Sequence, residues 1–407
     1  MARNLLVINQ YYAPDVASSG QLLSDLCAGL VLEGFKVTVV TAQPSYTSST
    51  VMAPAFEIVS GVRVYRVPLG RTRGRESLRS RVVGYAKFMW RAWLLSRAIV
   101  EDQRPDTVLT LSNPPSVGLI GARLAKRFGI RFVYVLYDIH PDILAKTSWV
   151  KLPRPALNLW NAMNKQIFSH ADTVIVPGYQ MKRTLVEEKG VREFNIKVIP
   201  NWGRPEFEHA SKNYSVRKQL GVGESDILFL YAGNMGIMHP IAPILDAATR
   251  VHEQPIHFLF VGDGAKKQYL LSRIRDENIR NVSWLPFQPE QQFANIVAAS
   301  DACFVTLEHG LESYAVPSKA YTFLSGGRAL ITNMAEEADI AKLVTDEKVG
   351  WNIANGAGLG ELLCQIASYP SELTERGLRG RALYERCFRK DKVIREYARL
   401  LGSATEP

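Results

Sequence analysis

Leu5-Leu6-Val7-Ile8, the loop Asn9-Gln10-Tyr11-Tyr12-Ala13-Pro14-Asp15-Val16-Ala17-Ser18-Ser19-Gly20, and the apolar positions Leu22, Leu23, Leu26, Cys27, Leu30 and Val31 decide the fold. The first run is short and β-rich. The last set recurs at helical spacing on one face, so the three make a strand, loop and helix unit that Gly34 closes. Further strands are expected at residues 37–40, 62–67, 107–111, 132–137, 173–176 and 197–199, with amphipathic stretches between them. The turn Asn201-Trp202-Gly203-Arg204-Pro205 and the polar segment through Lys212 and Asn213 interrupt the series,. It resumes at 227–231, 256–261, 282–285, 302–306 and 330–332, and two helices follow Pro370, the last over 391–401. Alternation of this kind implies an α/β chain of two Rossmann-like, doubly wound parallel-sheet domains, 1–203 and 204–387. Facing each other across a central cleft, they would bind ligands at the carboxyl ends of their strands.

Composition agrees with two domains: 407 residues, 47% hydrophobic, exceed what one ordinary core accommodates,. Cys27, Cys303, Cys364 and Cys387 lie far apart with no CxxC pair, which argues against a zinc site or disulfide framework and suits a reducing cytoplasm,. The opening residues lead directly into the first strand rather than into a secretory leader, and no uncharged stretch is long enough to span a bilayer. The formal charge is +10, and between Arg71 and Arg97 the cations Arg71, Arg73, Arg75, Arg79, Arg81, Lys87 and Arg91 meet only Glu76. Val83, Phe88, Trp90, Trp93, Leu94 and Leu95 are interleaved with them. That mixture suits an anionic membrane surface, peripheral on its inner face, and equally a core helix with a solvated basic side. No nucleic-acid-binding module is recognisable.

Several strand ends carry residues able to do chemistry. Ser18, Ser19 and Gly20 are small residues at a helix start, where a ligand can approach the backbone; the same loop also reads as a plain turn. No GxGxxG or GxxxxGK[ST] occurs,. Asp138, His140 and Asp142 gather titratable groups after the 132–137 strand, although a histidine before Pro141 is as often structural. Tyr231-Ala232-Gly233-Asn234-Met235-Gly236 and Val261-Gly262-Asp263-Gly264 place glycines after consecutive strands, permitting close approach of a phosphate or base. In Glu308-His309-Gly310-Leu311-Glu312-Ser313-Tyr314-Ala315-Val316-Pro317-Ser318-Lys319-Ala320-Tyr321, Ser318 is expected to cap a helix whose first turn holds Lys319. A lysine there opposes the helix dipole unless an anion is bound nearby, which suggests a diphosphate site; the plainer reading is a solvated surface lysine.

Taken in order, these segments resemble glycosyltransferase family 4, retaining enzymes of GT-B fold, especially members in bacterial polysaccharide and glycolipid assembly. Ala171-Asp172-Thr173-Val174-Ile175-Val176, Val198-Ile199-Pro200-Asn201-Trp202 and Leu324-Ser325-Gly326-Gly327-Arg328 extend the likeness over nearly the whole chain. The resemblance implies a nucleotide-sugar donor, UDP-linked in preference to GDP-linked, held by the second domain, and a glycan or lipid-linked acceptor held by the first. It implies donor contacts from Asn234, Gly236, Gly262, Gly264, Glu308, Glu312, Ser318, Lys319, Tyr321 and Thr322, with Pro286 and Phe287 near the base and Ser19 and Gly20 approaching from the first domain. It also implies that a helix over 388–407 packs back on that first domain. Two departures stand out: Thr322 occupies the position of a ribose-binding glutamate, and Met238 and His239 replace an Arg and Lys pair, leaving Lys319 and Arg328 to meet the phosphate charge.

No DxD triplet is present, so no metal or other cofactor is expected, and Lys319 with helix amino termini would stabilise the departing diphosphate. His140 and Asp138 would sit at the reacting sugar, His140 orienting it rather than acting as an essential base. The competing readings are a nucleotide-sugar epimerase of similar shape and a non-catalytic sugar-binding subunit.

Overall fold

The computed structural model describes residues 3–15, 17–44, 52–69, 78–147, 153–208, 213–354 and 356–403, with backbone alone for 78–82. The chain divides into two compact units, Met1–Asp142 with Leu152–Pro200 and Asp391–Pro407, and Ile143–Lys151 with Asn201–Lys390.

In the first unit, β1 (Asn4–Ile8), β2 (Lys36–Ala42), β3 (Phe56–Val59), β4 (Val62–Val67), β5 (Thr107–Thr110), β6 (Arg131–Val135), β7 (Thr173–Val176) and β8 (Ile196–Val198) form one sheet in the order β3-β4-β2-β1-β5-β6-β7-β8. Runs such as Leu5 to Ile8 are buried, as parallel strands covered on both faces require,. The exception is β3, which pairs antiparallel with β4 and leaves Phe56 and Ile58 exposed at the sheet edge. Ser60 and Gly61, both with positive φ (50° and 78°), make the two-residue turn between them,. At four residues, Phe56-Glu57-Ile58-Val59 is too short for its alternation to announce β3 in the sequence.

The second unit carries β9 (Ile227–Ala232), β10 (Ile256–Val261), β11 (Val282–Leu285), β12 (Ala302–Thr306), β13 (Ala329–Asn333) and β14 (Gly350–Asn352) in the order β11-β10-β9-β12-β13-β14. Every pairing in this sheet is parallel. Each sheet reverses its winding once, between β1 and β5 and between β9 and β12. Open α/β sheets bind ligands beyond the carboxyl ends of strands at such switch points, so topology alone marks two places to examine.

Helix Lys390–Gly402 belongs to the first unit. Ile394 packs so tightly on the helix Ser18–Leu32 that a Cβ at Gly29 would lie 2.5 Å from its Cδ1. Arg131 donates to the carbonyls of Leu400 and Ser403, each at 3.0 Å.

In the second unit, Arg217 anchors the amino edge of the sheet. Its buried guanidinium donates to the carbonyls of Ala299 (2.9 Å) and Gly223 (3.0 Å), to the Asp226 carbonyl, and to Asp301 Oδ2 at 3.0 Å. The same carboxylate accepts from the Leu228 N–H at 2.8 Å. Removing one partner leaves the other charge buried and uncompensated, so Arg217→Met is expected to cost about 3–5 kcal/mol in urea denaturation.

Candidate functional site

The switch point of the second sheet is built from glycine backbone. Beyond β9 the chain turns at Gly233 (φ +119°), and beyond β10 at Gly262 (φ +136°) and Gly264 (φ +151°). A Cβ on Gly262 would fall 2.1 Å from the Gly233 carbonyl oxygen, and one on Gly264 would fall 2.6 Å from Asn234 Oδ1 and the Met235 carbonyl. Only glycine allows this approach. Backbone bonds lock the two loops together: Gly233 N–H to Val261 (2.9 Å), Met235 N–H to Asp263 (2.8 Å), Lys266 N–H to Met235 (2.9 Å) and Gly262 N–H to Leu285 (2.9 Å).

Lys319, the first residue of helix Lys319–Ser325, reaches these loops with its ammonium. Its Nζ lies 4.7 Å from the Tyr231 ring centre and 3.2 Å from where a Gly233 Cβ would stand. The residue is partly exposed, yet Nζ is shielded from solvent and makes no hydrogen bond. Burial draws its pKa down to about 8,. His239 neighbours it with Nδ1 at 2.7 Å from the Thr306 carbonyl, a bond that requires the proton on that nitrogen,. Burial first, then Lys319 and more weakly Lys266, push His239 to about 3, so it is neutral. Lys266 donates to the carbonyls of Ile237 (3.2 Å) and His239 (2.9 Å). Burial lowers its pKa and the nearby Glu308 carboxylate raises it, while the Glu308 N–H bonds the Met238 carbonyl at 2.8 Å.

The structure thus gathers Asn234, Gly236, Gly262, Gly264, Glu308, Ser318 and Lys319 at the carboxyl ends of β9, β10 and β12. Pro286 and Phe287 follow β11 and are exposed, next to the carbonyl that anchors Gly262. Glu312 is buried, its Oε1 accepting from the Ala335 N–H at 3.1 Å, which fixes the loop after β13. Tyr321 is a core side chain packed edge-on against Phe388 at 4.8 Å, and Thr322 offers its carbonyl to Ser325 Oγ at 2.7 Å. Two expectations need correction. Ser318 occupies the position before the helix but makes no capping bond with its side chain, because its own backbone is already helical. Arg328 does not reach the phosphate side: it bonds the carbonyls of Gly326 (3.0 Å) and Ser300 (2.9 Å), at the opposite, amino-terminal ends of β12 and β13. Lys266 was not singled out by sequence, and Tyr231, Gly233 and His239 entered only as parts of quoted stretches; the positive φ of Gly233 and the reach of Lys266 appear only in three dimensions.

In the first unit, the loop after β1 is tied to β2 and β5: Gln10 N–H donates to Asn113 O (2.9 Å), Thr41 Oγ1 to Gln10 O (2.9 Å), and Asn113 Nδ2 to Ser19 Oγ (3.1 Å). Gly20 lies beneath Tyr11, whose Cβ would be 3.2 Å from a Cβ at that position. Asn9 Oδ1, Gln10 Oε1, Thr110 Oγ1 and Ser112 Oγ are buried here without partners. β6 ends at Val135, two residues earlier than the apolar run suggested, which frees Leu136 to His140 as a loop. His140 Nδ1 is shielded and unpartnered, its ring stands 5.9 Å from that of Trp160, and its carbonyl accepts from Asn164 Nδ2 at 2.5 Å. Burial lowers the His140 pKa against the opposing fields of Asp138 and Asp142, and burial raises that of Asp138 against His140, so both neutral forms are favoured. Asp142 is paired with Lys189 at 2.6 Å.

Helix Leu78–Gln103 buries Phe88, Ala92, Ser96 and Ile99 and exposes Val83 (51%), Trp90 (65%) and Leu94 (47%) on the other side, with Lys87 and Arg91 beside them. The basic residues at 71–75 fall outside the described residues. Among the described residues no helix is long and apolar enough to cross a membrane, and no group of three or more His, Cys, Asp or Glu could hold a metal ion.

Residues 19–202 match the family model described as the glycosyl transferase 4-like domain. WbjE of Pseudomonas aeruginosa, named as a glycosyltransferase, is 24% identical over 355 residues covering 86% of each chain. WcaI of Escherichia coli K12, named for glycosyl transfer in colanic acid biosynthesis, is 25% identical over 81% of this chain and 83% of its own. Among solved structures, HepE of Anabaena in complex with UDP-glucose shares the fold, with TM-score 0.72 and 15% identity over 98% of this chain and 100% of that one.

A buried ammonium without a partner destabilises the protein that carries it. The pKa of Lys319 is lowered from 10.5 on folding, so its cost is complete below about pH 8 and is relieved as pH rises towards the unfolded value,. Lys319→Met is therefore expected to raise the melting temperature of the ligand-free protein by roughly a few degrees at pH 7, with the gain shrinking above pH 8, as differential scanning calorimetry across pH would show.

Proposed function

We propose a donor site, an acceptor class and a stereochemical course for a chain that belongs to the GT4-like glycosyltransferases of GT-B fold, enzymes of nucleotide-sugar-dependent glycosyl transfer. The donor is a nucleotide sugar, UDP-linked in preference to GDP-linked, whose diphosphate lies against the Gly233 to Gly236 and Gly262 to Gly264 loops and is neutralised by Lys319. One observation carries this reading: a lysine ammonium is held shielded and unpartnered at the switch point of the second sheet. HepE, similar in fold, was solved with UDP-glucose, in keeping with that choice of donor.

The chemistry follows from charge. Cleavage of the anomeric bond releases a nucleoside diphosphate, and the negative charge developing on its leaving oxygen is where a preorganised cation contributes most. Lys319, already desolvated, offers that charge without reorganisation. Transfer is metal-independent and retaining: the leaving phosphate accepts the proton of the attacking hydroxyl on the face it departs from. His140, neutral, orients the donor sugar, and Asp138 neighbours it. Asn234, Gly236, Gly262, Gly264 and Ser318 line the donor, Glu308 takes the ribose side, and Phe287 with Pro286 flanks the base. Ser19 and Gly20 belong to the sugar and phosphate side of the first unit. The acceptor is a glycan or lipid-linked glycan in polysaccharide assembly, which the name of WcaI supports.

A lipid-borne acceptor would be met at the bilayer by helix Leu78–Gln103. Trp90, Leu94 and Val83 stand outside the core beside Lys87 and Arg91, the arrangement that lies in an anionic interface,. The protein then works from the cytoplasmic face as a peripheral enzyme.

Purified protein incubated with UDP-sugars is expected to release UDP slowly by hydrolysis and faster with acceptor, and Lys319→Ala to lower kcat about 100- to 1000-fold, the loss typical of one electrostatic donor to a transition-state anion. Conversion of the donor to an epimer with no acceptor present, or unaltered turnover by Lys319→Ala, would discard the assignment. In liposome flotation the wild type is expected to rise with vesicles containing phosphatidylglycerol, and Trp90→Glu with Leu94→Glu to remain at the bottom; equal flotation of both would remove the membrane-docking role.

A further inference from the structure

The loop beyond Gly236 carries Met238 and His239, neither of them a cation, since His239 is neutral. A diphosphate carries more charge than one lysine neutralises. The second cation comes from another strand: Lys266, carried by the loop after β10, extends across to the Gly236–His239 loop and bonds two of its carbonyls, those of Ile237 and His239, at 3.2 and 2.9 Å.

We infer that Lys266 is the second diphosphate-binding cation of this enzyme, supplied by the β10 loop to the β9 loop, so that Lys266 and Lys319 together grip the donor. The inference rests on the donor site proposed above. An ammonium has three N–H donors, and two of them go to the loop carbonyls, leaving one for a phosphate oxygen. The carbonyls place the cation; they do not neutralise it. Both ammonium groups act on the His239 imidazole, and Lys266 Nζ itself bonds the His239 carbonyl at 2.9 Å. Lys266 is a partly exposed residue. The Glu308 carboxylate acts on Lys266, and the Glu308 backbone is itself bonded to Met238 on the same loop. Lys267, next in sequence, is otherwise engaged: it lies 4.3 Å over the Trp284 ring and pairs with Asp263 at 3.4 Å.

A lysine that merely pinned the loop would act on base and phosphate alike, whereas one touching the diphosphate acts on phosphate alone. Calorimetric titration with UDP and with uridine, at several salt concentrations, separates them. For Lys266→Gln, which keeps an N–H donor for the loop carbonyls but no charge, the ratio of UDP to uridine affinity is expected to fall about tenfold or more, the worth of a charge-assisted bond. The salt dependence of UDP binding is expected to flatten, and Lys266→Arg to restore both. Equal losses for UDP and uridine, or no loss, would overturn the role of Lys266 while a lost UDP preference in Lys319→Ala still upheld the donor site. Should the wild type prefer none of UDP, dTDP, GDP or ADP over its nucleoside, the donor site and this inference would fall together.

Discussion

The second unit is organised around one ammonium group that has an aromatic face for a neighbour and no hydrogen-bond acceptor. Cations over tyrosine rings gain electrostatic attraction from the ring quadrupole, enough to hold the group in place but less than the hydration it has lost. The surrounding structure fits that constraint. Gly233 leaves room for Nζ where any side chain would obstruct it, and Gly262 and Gly264 let the next loop close on the first. His239 gives its proton to the Thr306 carbonyl and adds no competing charge. A site that withholds an acceptor from its own lysine is locally unfavourable, and proteins tolerate such conflict where function gains from it.

The first unit presents different chemistry at its switch point. Amide oxygens of Asn9 and Gln10, hydroxyls of Thr110 and Ser112, and Nδ1 of His140 are buried without partners near the ends of β1, β5 and β6. These are neutral groups, and the amide oxygens only accept. Burial holds Asp138 and His140 towards their neutral forms as well. One unit therefore concentrates cationic groups and the other uncharged hydrogen-bonding groups, which accords with donor and acceptor roles assigned to them by proposal.

Most of the fold was legible because parallel strands buried on both faces leave compact apolar runs: 173–176, 256–261 and 302–306 coincide with strands residue for residue, as does the half-buried edge strand 282–285. β3 escaped notice because an edge strand needs no such run, and β14 because Gly350-Trp351-Asn352 is too short to show a period. β6 was read too long, since Leu136 and Tyr137 are as apolar as the strand they follow. At the site, the order of motifs pointed to Lys319 and the glycine loops, but side-chain commitments were invisible. Arg328 is adjacent in sequence to the glycines it was grouped with, yet it faces the opposite end of the sheet. Lys266 was unremarkable as a letter in a lysine pair, and only its reach to Ile237 and His239 distinguishes it. Helix Leu78–Gln103 is apolar on its buried side and also at Trp90 and Leu94 outside, so both sequence alternatives, a core helix and a surface-active one, drew on residues that the fold places on opposite faces.

Helix Lys390–Gly402 fills a groove on the first unit with Ile394 and supplies the carbonyls that Arg131 needs. The second unit, Ile143–Lys151 with Asn201–Lys390, ends where that helix begins. During synthesis from the amino terminus, the lobe that begins first must wait for its last piece until the other lobe has left the ribosome. Its nascent form lacks cover over Gly29 and the Leu400 and Ser403 carbonyls for Arg131 throughout that interval, so the earliest-made half of the molecule is the last to be completed,.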